Sequence, residues 1–524
     1  MHDFFKFCKQ NIFLICVIAF TVLLTYGFML LNSVTGVDTE GAMSAYRTTV
    51  YSFSISTGRW GGQFLDMLWR ITPYNPHLAV VCSLCFLGIG ALMWHYVFIS
   101  AANGFIANTP VVRNRIGAVL FYILYITSFV WNELMYFHPT TFFFSIMLCP
   151  IVILIIFRGF LLSRFWLIAG GVLCSAFLFS VYQALIPFLC SGVLICFFLL
   201  LRQSAPGILP LFLKILSTFI IAYLLYFALD YIIKFVFNVQ SGTYVNNFNT
   251  WGRGGFTGSI KRILTVGYEL TVVPFLRKSY NTYGSLALLP VSLMFIYVLL
   301  KNRVKYGILF VITGLCISGS IMLLPILGAN RPPLRTMFSL PLVMGFTAWF
   351  LIDEWSANIR CKMRKFCITL LVLLVAAVSL YQVQVAIQVQ YSDYRRYNAD
   401  VRLAGILDEK ITGIISKNSN VIHDENGAVP LAIFGRYEPF KFDRNFIYGE
   451  VSGHSIFYWD TQWDTIIAPS RRATRFMQSL GMNYVMPPYE QLNAAAVFAA
   501  SMPVYPADGC VAVHGGIVVV RISE

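Results

Sequence analysis

Apolar residues in this chain fall into long unbroken blocks instead of alternating with polar ones. Blocks close to the ~20 residues that cross a bilayer as a helix recur along most of its length. They lie at about 12–31, 78–99, 116–131, 139–157, 165–181, 184–201, 210–230, 284–300, 306–327, 336–352 and 367–388. This pattern predicts a polytopic α-helical membrane protein with about eleven transmembrane helices. The first block is too long and uninterrupted for a signal peptide, and no small-residue cleavage site follows it.

The polar segments between the blocks set an orientation. Lys6 and Lys9 precede the first span, Arg113 and Arg115 follow the second, and Arg158 and Arg164 follow the fourth. Arg202 follows the sixth, Lys301, Arg303 and Lys305 the eighth, and Arg360, Lys362, Arg364 and Lys365 the tenth. Every second connection is basic, which predicts a cytoplasmic N-terminus. An odd number of spans then places the C-terminus outside.

Three outside segments stand apart. Residues 32–77 form a long first loop, in which Ala42 to Ile71 is expected to lie as an amphipathic helix on the membrane surface. Residues 238–283 form a second, and its apolar stretch Ile263 to Leu276 is expected to dip into the bilayer without crossing it. The third begins at Tyr391, where charges and turn signals reappear around short β-type runs, Leu431–Phe434 and Gly516–Ile522. The expected division is a transmembrane domain over 1–390, with the long outside loop 32–77, and an outside α/β domain over 391–524. The second unit has about 130 residues, an ordinary domain size.

Composition agrees. Only 12% of residues are charged, about half the share of a soluble domain, so a water-soluble surface is excluded. The net charge of +15 follows from the basic connections and does not point to nucleic acid. No P-loop or dinucleotide glycine fingerprint is present. Cys82 and Cys85 have CxxC spacing but sit inside an apolar block, with no second pair or His cluster to make a metal site. Internal repeats and a chain of intramembrane acids are both missing, which argues against a repeat-built transporter and a proton-driven pump.

Candidate chemistry gathers at outside helix ends. Asp38-Thr39-Glu40 follows the first span, and two carboxylates so placed can act as a general base and as a ligand for a hydroxyl or metal. A solvated acidic loop or a helix cap is the alternative. The outside face also carries Arg47, Arg59, Arg70, Arg253, Lys261, Arg262, Arg277, Lys278, Arg331 and Arg335. Cations on the side that orientation disfavours suit a lipid-linked phosphate, which guanidinium matches bidentately; plain headgroup contact is the other reading. Glu133 and His138 occupy the turn between spans three and four, and Tyr182 and Gln183 that between five and six. These four are candidates for sugar or acceptor binding; the bland alternatives are a short solvated turn for Glu133 and His138 and interface anchoring for Tyr182 and Gln183. Asp230 and Glu269 are weaker candidates.

Taken in order, the first span, the outside acidic pair, the surface helix, the many spans and the outside C-terminal unit resemble the GT-C glycosyltransferases. Gly36-Val37-Asp38-Thr39-Glu40 followed by Ser56-Thr57-Gly58-Arg59-Trp60-Gly61 is similar to the serotype-converting O-antigen glucosyltransferases, the Gtr type-specific family. Ser180-Val181-Tyr182-Gln183 resembles a Tyr-Gln element of the same family. The resemblance covers the whole chain in architecture, with its specific motifs concentrated in loop one and these turns.

The resemblance implies an inverting hexosyltransferase in a bacterial inner membrane that takes part in O-antigen modification of lipopolysaccharide. The donor would be an undecaprenyl-phosphate-linked sugar, glucose by resemblance, and the acceptor a lipid-linked O-antigen repeat, with a separate synthase and flippase supplying the donor. Asp38 or Glu40 is the expected base, Asp38 preferred by its position at the membrane edge with Glu40 then orienting the acceptor or its neighbours. Arg59, Arg331 and Arg335 are expected on the departing phosphate. No cofactor is expected; metal-independent transfer follows from the lack of an evident third ligand, with a divalent metal left open. Aromatic stretches such as Phe457-Tyr458-Trp459 and Trp463 are expected either to stack on acceptor sugars or to form the C-terminal core. A lipid-linked O-antigen polymerase and a polysaccharide flippase or transporter are the rival readings.

Overall fold

Among the described residues the eleven apolar blocks fall on helical segments, two of them on broken pairs of helices. The computed structural model describes residues 2–44, 52–69, 74–105, 112, 114–137, 139–204, 207–242, 249–276, 285–301, 307–358, 361–418, 420–461 and 464–524. Helices α1 (His2–Gln10) and α2 (Ile12–Leu31) lead into loop one, where three short helices follow: α3 (Thr39–Ser44), α4 (Ser52–Ser56) and α5 (Trp60–Trp69). The single surface helix expected over Ala42 to Ile71 is therefore broken. Gly58, at φ +74°, adopts a left-handed turn between α4 and α5 that glycine makes without a Cβ penalty.

The bundle continues with α6 (Pro76–Ala102), α7 (Arg115–Ile126), α8 (Phe129–Met135), α9 (Pro139–Leu161), α10 (Phe165–Val181), α11 (Leu185–Arg202) and α12 (Ile208–Val236). The Asn75 side chain accepts from Leu78 N at 3.1 Å, and Pro76 takes the first turn, where its missing N–H costs nothing. Asn114 caps α7 in the same way through Ile116 N and Gly117 N. Beyond them come α13 (Gly255–Thr271), α14 (Val273–Leu276), α15 (Leu288–Lys301), α16 (Gly307–Gly319), α17 (Leu323–Gly328) and α18 (Ser339–Asn358). The stretch expected to dip into the membrane falls on α13 and α14.

Among the described residues seven helices are long and apolar enough to cross a membrane, and the bent pair α7–α8 makes eight. The shorter apolar helices α10 and α15 stand beside them. This is the architecture of a polytopic helical membrane protein. Cys82 and Cys85 are free thiols.

A bend of 43° separates α7 from α8 and turns α8 into the protein interior. Thr127 at the bend donates to Gln382 Oε1 at 2.8 Å, and Trp131 Nε1 donates to the Tyr125 carbonyl at 2.5 Å. The second bond satisfies a carbonyl close to the break, and α8 is wholly buried, with Glu133 at 0% exposure. Glu133 thus belongs to a buried helix and not to a solvated turn.

Helix α19 (Cys361–Ile415) runs through residue 391 without interruption, so the expected boundary falls inside a helix whose first half is apolar and second half charged. The chain then forms β1 (Val429–Phe434), α20 (Ile467–Ser479), β2 (Tyr484–Val485), α21 (Tyr489–Ala499), β3 (Val511–His514) and β4 (Ile517–Arg521). The sheet order is β2-β1-β4-β3, with β1 parallel to β2 and β4, and β3 antiparallel to β4. All six residues of β1 are buried, as expected of a parallel central strand covered on both faces. Helix α20 covers one face, and Ser470 Oγ accepts from Ile433 N at 2.8 Å.

Candidate active site

The acidic pair sits in a tight turn dictated by its neighbours. Thr39 N donates to the Gly36 carbonyl at 3.2 Å, and Thr39 Oγ1 does so at 2.5 Å. A Cβ on Gly36 would lie 2.8 Å from the Tyr136 carbonyl oxygen, so the turn can press on the end of α8 only as glycine. Asp38 itself has φ +68°, a region Asp tolerates better than most residues, and Glu40 lies in the first turn of α3. The turn presents the two carboxylates to one partner.

That partner is Arg472 on α20. Its Nη2 lies 2.6 Å from Asp38 Oδ1 and its Nη1 2.5 Å from Glu40 Oε1. Its Nε donates to Asp460 Oδ2 at 2.9 Å, and Nη2 pairs with the same oxygen. Three carboxylates therefore share one guanidinium. The side chains of Asp38 and Asp460 keep 29% and 28% of their surface, while Glu40 keeps 1%. Among the described residues Glu40 Oε2 has no hydrogen-bond partner.

Burial pushes Glu40 above the ordinary carboxylate range; Arg472 opposes this, and the adjacent Asp38 charge adds to it. Burial works against the charge of Arg472, but Asp38, Glu40 and Asp460 outweigh it and hold its pKa above the usual value. The site thus contains two partly accessible carboxylates, Asp38 and Asp460, a buried one reluctant to ionise, and a cation among them. Among the described residues no group of three or more His, Cys, Asp or Glu side chains is placed to hold a metal ion.

The second motif of loop one meets the Tyr182-Gln183 turn. Gln183 Nε2 donates to the Thr57 carbonyl at 3.0 Å and to Tyr226 Oη at 3.1 Å, and Tyr226 Oη donates to the Gly58 carbonyl at 3.1 Å. Arg59 Nε reaches Gln183 Oε1 at 3.4 Å, and its guanidinium lies 4.8 Å from the centre of the Tyr182 ring. The elements read as one family signature are joined in space. Gly61 allows this, because a Cβ there would come within 3.1 Å of the Ser180 carbonyl carbon and 3.2 Å of the Phe177 carbonyl oxygen. Gly61→Val should destabilise the protein by about 1–3 kcal/mol through overpacking. A lower melting temperature of the detergent-solubilised chain, with reduced activity, would register it.

The remaining candidates separate. Arg331 lies 3.4 Å from Glu269 and is about half exposed, whereas Arg335 pairs with Glu450 and stacks over Phe137 at 5.0 Å. Glu450 Oε2 also accepts from Leu334 N at 2.6 Å. Glu133 accepts from Val451 N at 2.7 Å and Ser452 Oγ at 3.0 Å; no sugar is needed to satisfy it. Asp230 pairs with Lys234 at 2.7 Å. His138, Arg47, Arg70, Arg277, Lys278 and Trp463 lie outside the described residues. Phe457 is buried in the core, while Tyr458 and Trp459 are half-buried beside His454.

Sequence reasoning missed the partners supplied by the C-terminal quarter. Arg396 on α19, 1% exposed, pairs with Asp393 at 2.8 Å and Asp400 at 3.3 Å, and donates to the Thr35 carbonyl at 3.0 Å. Asp393 and Asp400 in turn accept from Gly453 N, Ser455 Oγ and Ile456 N. With Glu133 and Glu450, four carboxylates hold the segment around 450–456 against the helical bundle. The i, i+3 and i+4 spacing of Asp393, Arg396 and Asp400 was a visible helical pairing signal; Arg472 offered none.

No curated protein and no solved structure matches this chain. A family model described as glucosyl transferase GtrII matches residues 27–352. The match takes in the acidic pair, the Ser56–Gly61 and Tyr182-Gln183 elements and both Arg331 and Arg335, and it stops before Arg396, Asp460 and Arg472. Because it covers well over half of the sequence and contains the motifs that loop one brings together, the chain belongs to the GtrII glucosyl transferase family and is a glycosyltransferase.

Proposed function

We propose that this glycosyltransferase moves a hexose, glucose by family, from an undecaprenyl-phosphate-linked donor to a lipid-linked O-antigen repeat, inverting the anomeric configuration. The reaction takes place at the periplasmic face of a bacterial inner membrane. Eleven crossings with a cytoplasmic N-terminus put loop one and residues 391–524 on that face. The alternating basic connections support this orientation. The observation that carries the reading is the Asp38–Glu40 pair, bridged by Arg472 with one carboxylate accessible and the other buried.

In the proposed step the acceptor hydroxyl oxygen attacks the anomeric carbon. Asp38 takes the hydroxyl proton as the new C–O bond forms. The anomeric carbon–phosphate oxygen bond breaks, and its electron pair leaves with undecaprenyl phosphate. Arg59, Arg331 and Arg335 are assigned to the charge that grows on this leaving group. Arg331, the most exposed of the three, is the best placed to turn toward a phosphate. Glu40 and Arg472 keep Asp38 oriented.

The test is transfer in proteoliposomes with purified polyprenyl-phosphate glucose and lipid-linked O-antigen, with and without EDTA. Transfer that inverts the anomeric configuration and survives EDTA is expected. Retention of configuration would overturn the single displacement, and loss in EDTA would overturn metal independence. Absence of transfer by folded protein would overturn the choice of substrates.

A further inference from the structure

We infer that Arg472, delivered by α20 from the C-terminal quarter, is a positioning residue of the transferase that fixes the geometry of Asp38 and Glu40, so that the active centre is complete only with α20 seated on loop one. This rests on the reading of Asp38 and Glu40 as the reacting pair.

The geometry is specific to a guanidinium. One nitrogen faces each loop-one carboxylate, at 2.6 and 2.5 Å, and the third donates to Asp460 at 2.9 Å. A planar fork can serve three acceptors in this way; an ammonium on a flexible stem cannot hold the same directions. The 10% exposure of Arg472 removes most of the water that would otherwise screen it. Without it, the buried Glu40 would lose the cation that opposes its desolvation and keep Asp38 as a like-charged neighbour. Asp460, at φ +65°, anchors the guanidinium from the far side.

Other charges flank the pair. Arg471 approaches Asp460 at 3.9 Å, with Asp464 in its neighbourhood. A Cβ on Gly41 would lie 3.4 Å from Arg475 Nη1, so that guanidinium flanks α3. From α19, Arg396 holds the Thr35 carbonyl upstream of the turn. Arg472 differs from these three arginines in bridging the pair, with one nitrogen on each carboxylate.

Two opposite electrostatic effects result. Removing the Arg472 charge disfavours ionisation of the carboxylate that must act as base, so the acid limb of the activity profile moves to higher pH. Removing the Asp460 charge releases the guanidinium to Asp38 and Glu40 and takes away a neighbouring anion, so the limb moves to lower pH. A merely structural latch would not produce opposite shifts.

The experiment uses the full chain in proteoliposomes and measures hexose transfer against pH for wild type, Arg472→Gln, Arg472→Lys and Asp460→Asn. Melting temperature serves as the check on folding. We expect Arg472→Gln to lose about 10²-fold in turnover at neutral pH, the scale of a small misplacement of a reacting group, with its acid limb raised by about one unit or more. Arg472→Lys should recover part of both losses, and Asp460→Asn should move the limb the other way. If Arg472→Gln fails to fold, Arg472→Lys and Asp460→Asn must still shift in opposite directions. A folded Arg472→Gln with the wild-type limb, or shifts of both substitutions in one direction, would overturn the inference. Active Asp38→Asn and Glu40→Gln would instead overturn the reading of the reacting pair itself.

Discussion

Asp38→Asn should lower hexose transfer by about 10²–10⁴-fold, the usual contribution of a general base, while the protein still folds. Asn is nearly isosteric and tolerates the left-handed backbone at φ +68° about as well as Asp. It still offers an oxygen to Arg472, so the clamp persists, but it cannot take the acceptor proton. Glu40→Gln should cost less, because Glu40 is 1% exposed and reaches the substrate only through its neighbours. Steady-state transfer by the two variants decides the assignment; a larger loss in Glu40→Gln would make Glu40 the base.

The same pair makes a signed prediction about stability. Burial raises Glu40 above its ordinary carboxylate value, so folding favours the protonated form. Its contribution is present below the unfolded pKa and is lost as pH rises through the higher folded one. Glu40→Gln is neutral throughout and should lack this dependence. Melting curves of wild type should therefore fall relative to Glu40→Gln as pH rises from the ordinary carboxylate range, and parallel curves would refute it.

Arg396→Met should be the most destabilising single change, by about 3–5 kcal/mol. Methionine preserves much of the volume but leaves Asp393 and Asp400 buried without their shared cation; they are 2% and 0% exposed. It also removes the donor to the Thr35 carbonyl, close upstream of Asp38. The loss therefore propagates toward both the 450–456 segment and the acidic turn. Unfolding of the solubilised protein should show the drop. A double substitution that also changes Asp393 to Asn should recover part of it, since one buried charge is then gone. A melting temperature equal to that of wild type in Arg396→Met would show that the triad contributes little.

The bundle could be read from the chain because helix formation and membrane burial are local. A block of apolar residues long enough to satisfy its own backbone hydrogen bonds in lipid must be helical wherever it sits, and among the described residues the eleven blocks fall on helical segments. Breaks within elements were less legible. Loop one forms three helices, with Gly58 turning left-handed between the last two, and at the α7–α8 bend Thr127 bonds Gln382 from a distant helix. The long charged half of α19 looked like the start of a separate unit, yet it continues a membrane-length helix without a break.

At the site, the sequence by itself determined the acidic pair, the Arg59 and Tyr182-Gln183 elements, and through them the family. These signals are short, contiguous and placed beside the helix ends that orient them. Only the tertiary structure decided what the carboxylates face. Arg472 meets Glu40 across 432 positions of chain, and Glu133 meets Ser452 across 319. Arg335, equally visible among the basic residues, is matched to Glu450. A charge carries no local mark of its partner; pairing depends on which surfaces close on each other and exclude water, and that is settled only when α20 and the 450–456 segment pack against the bundle.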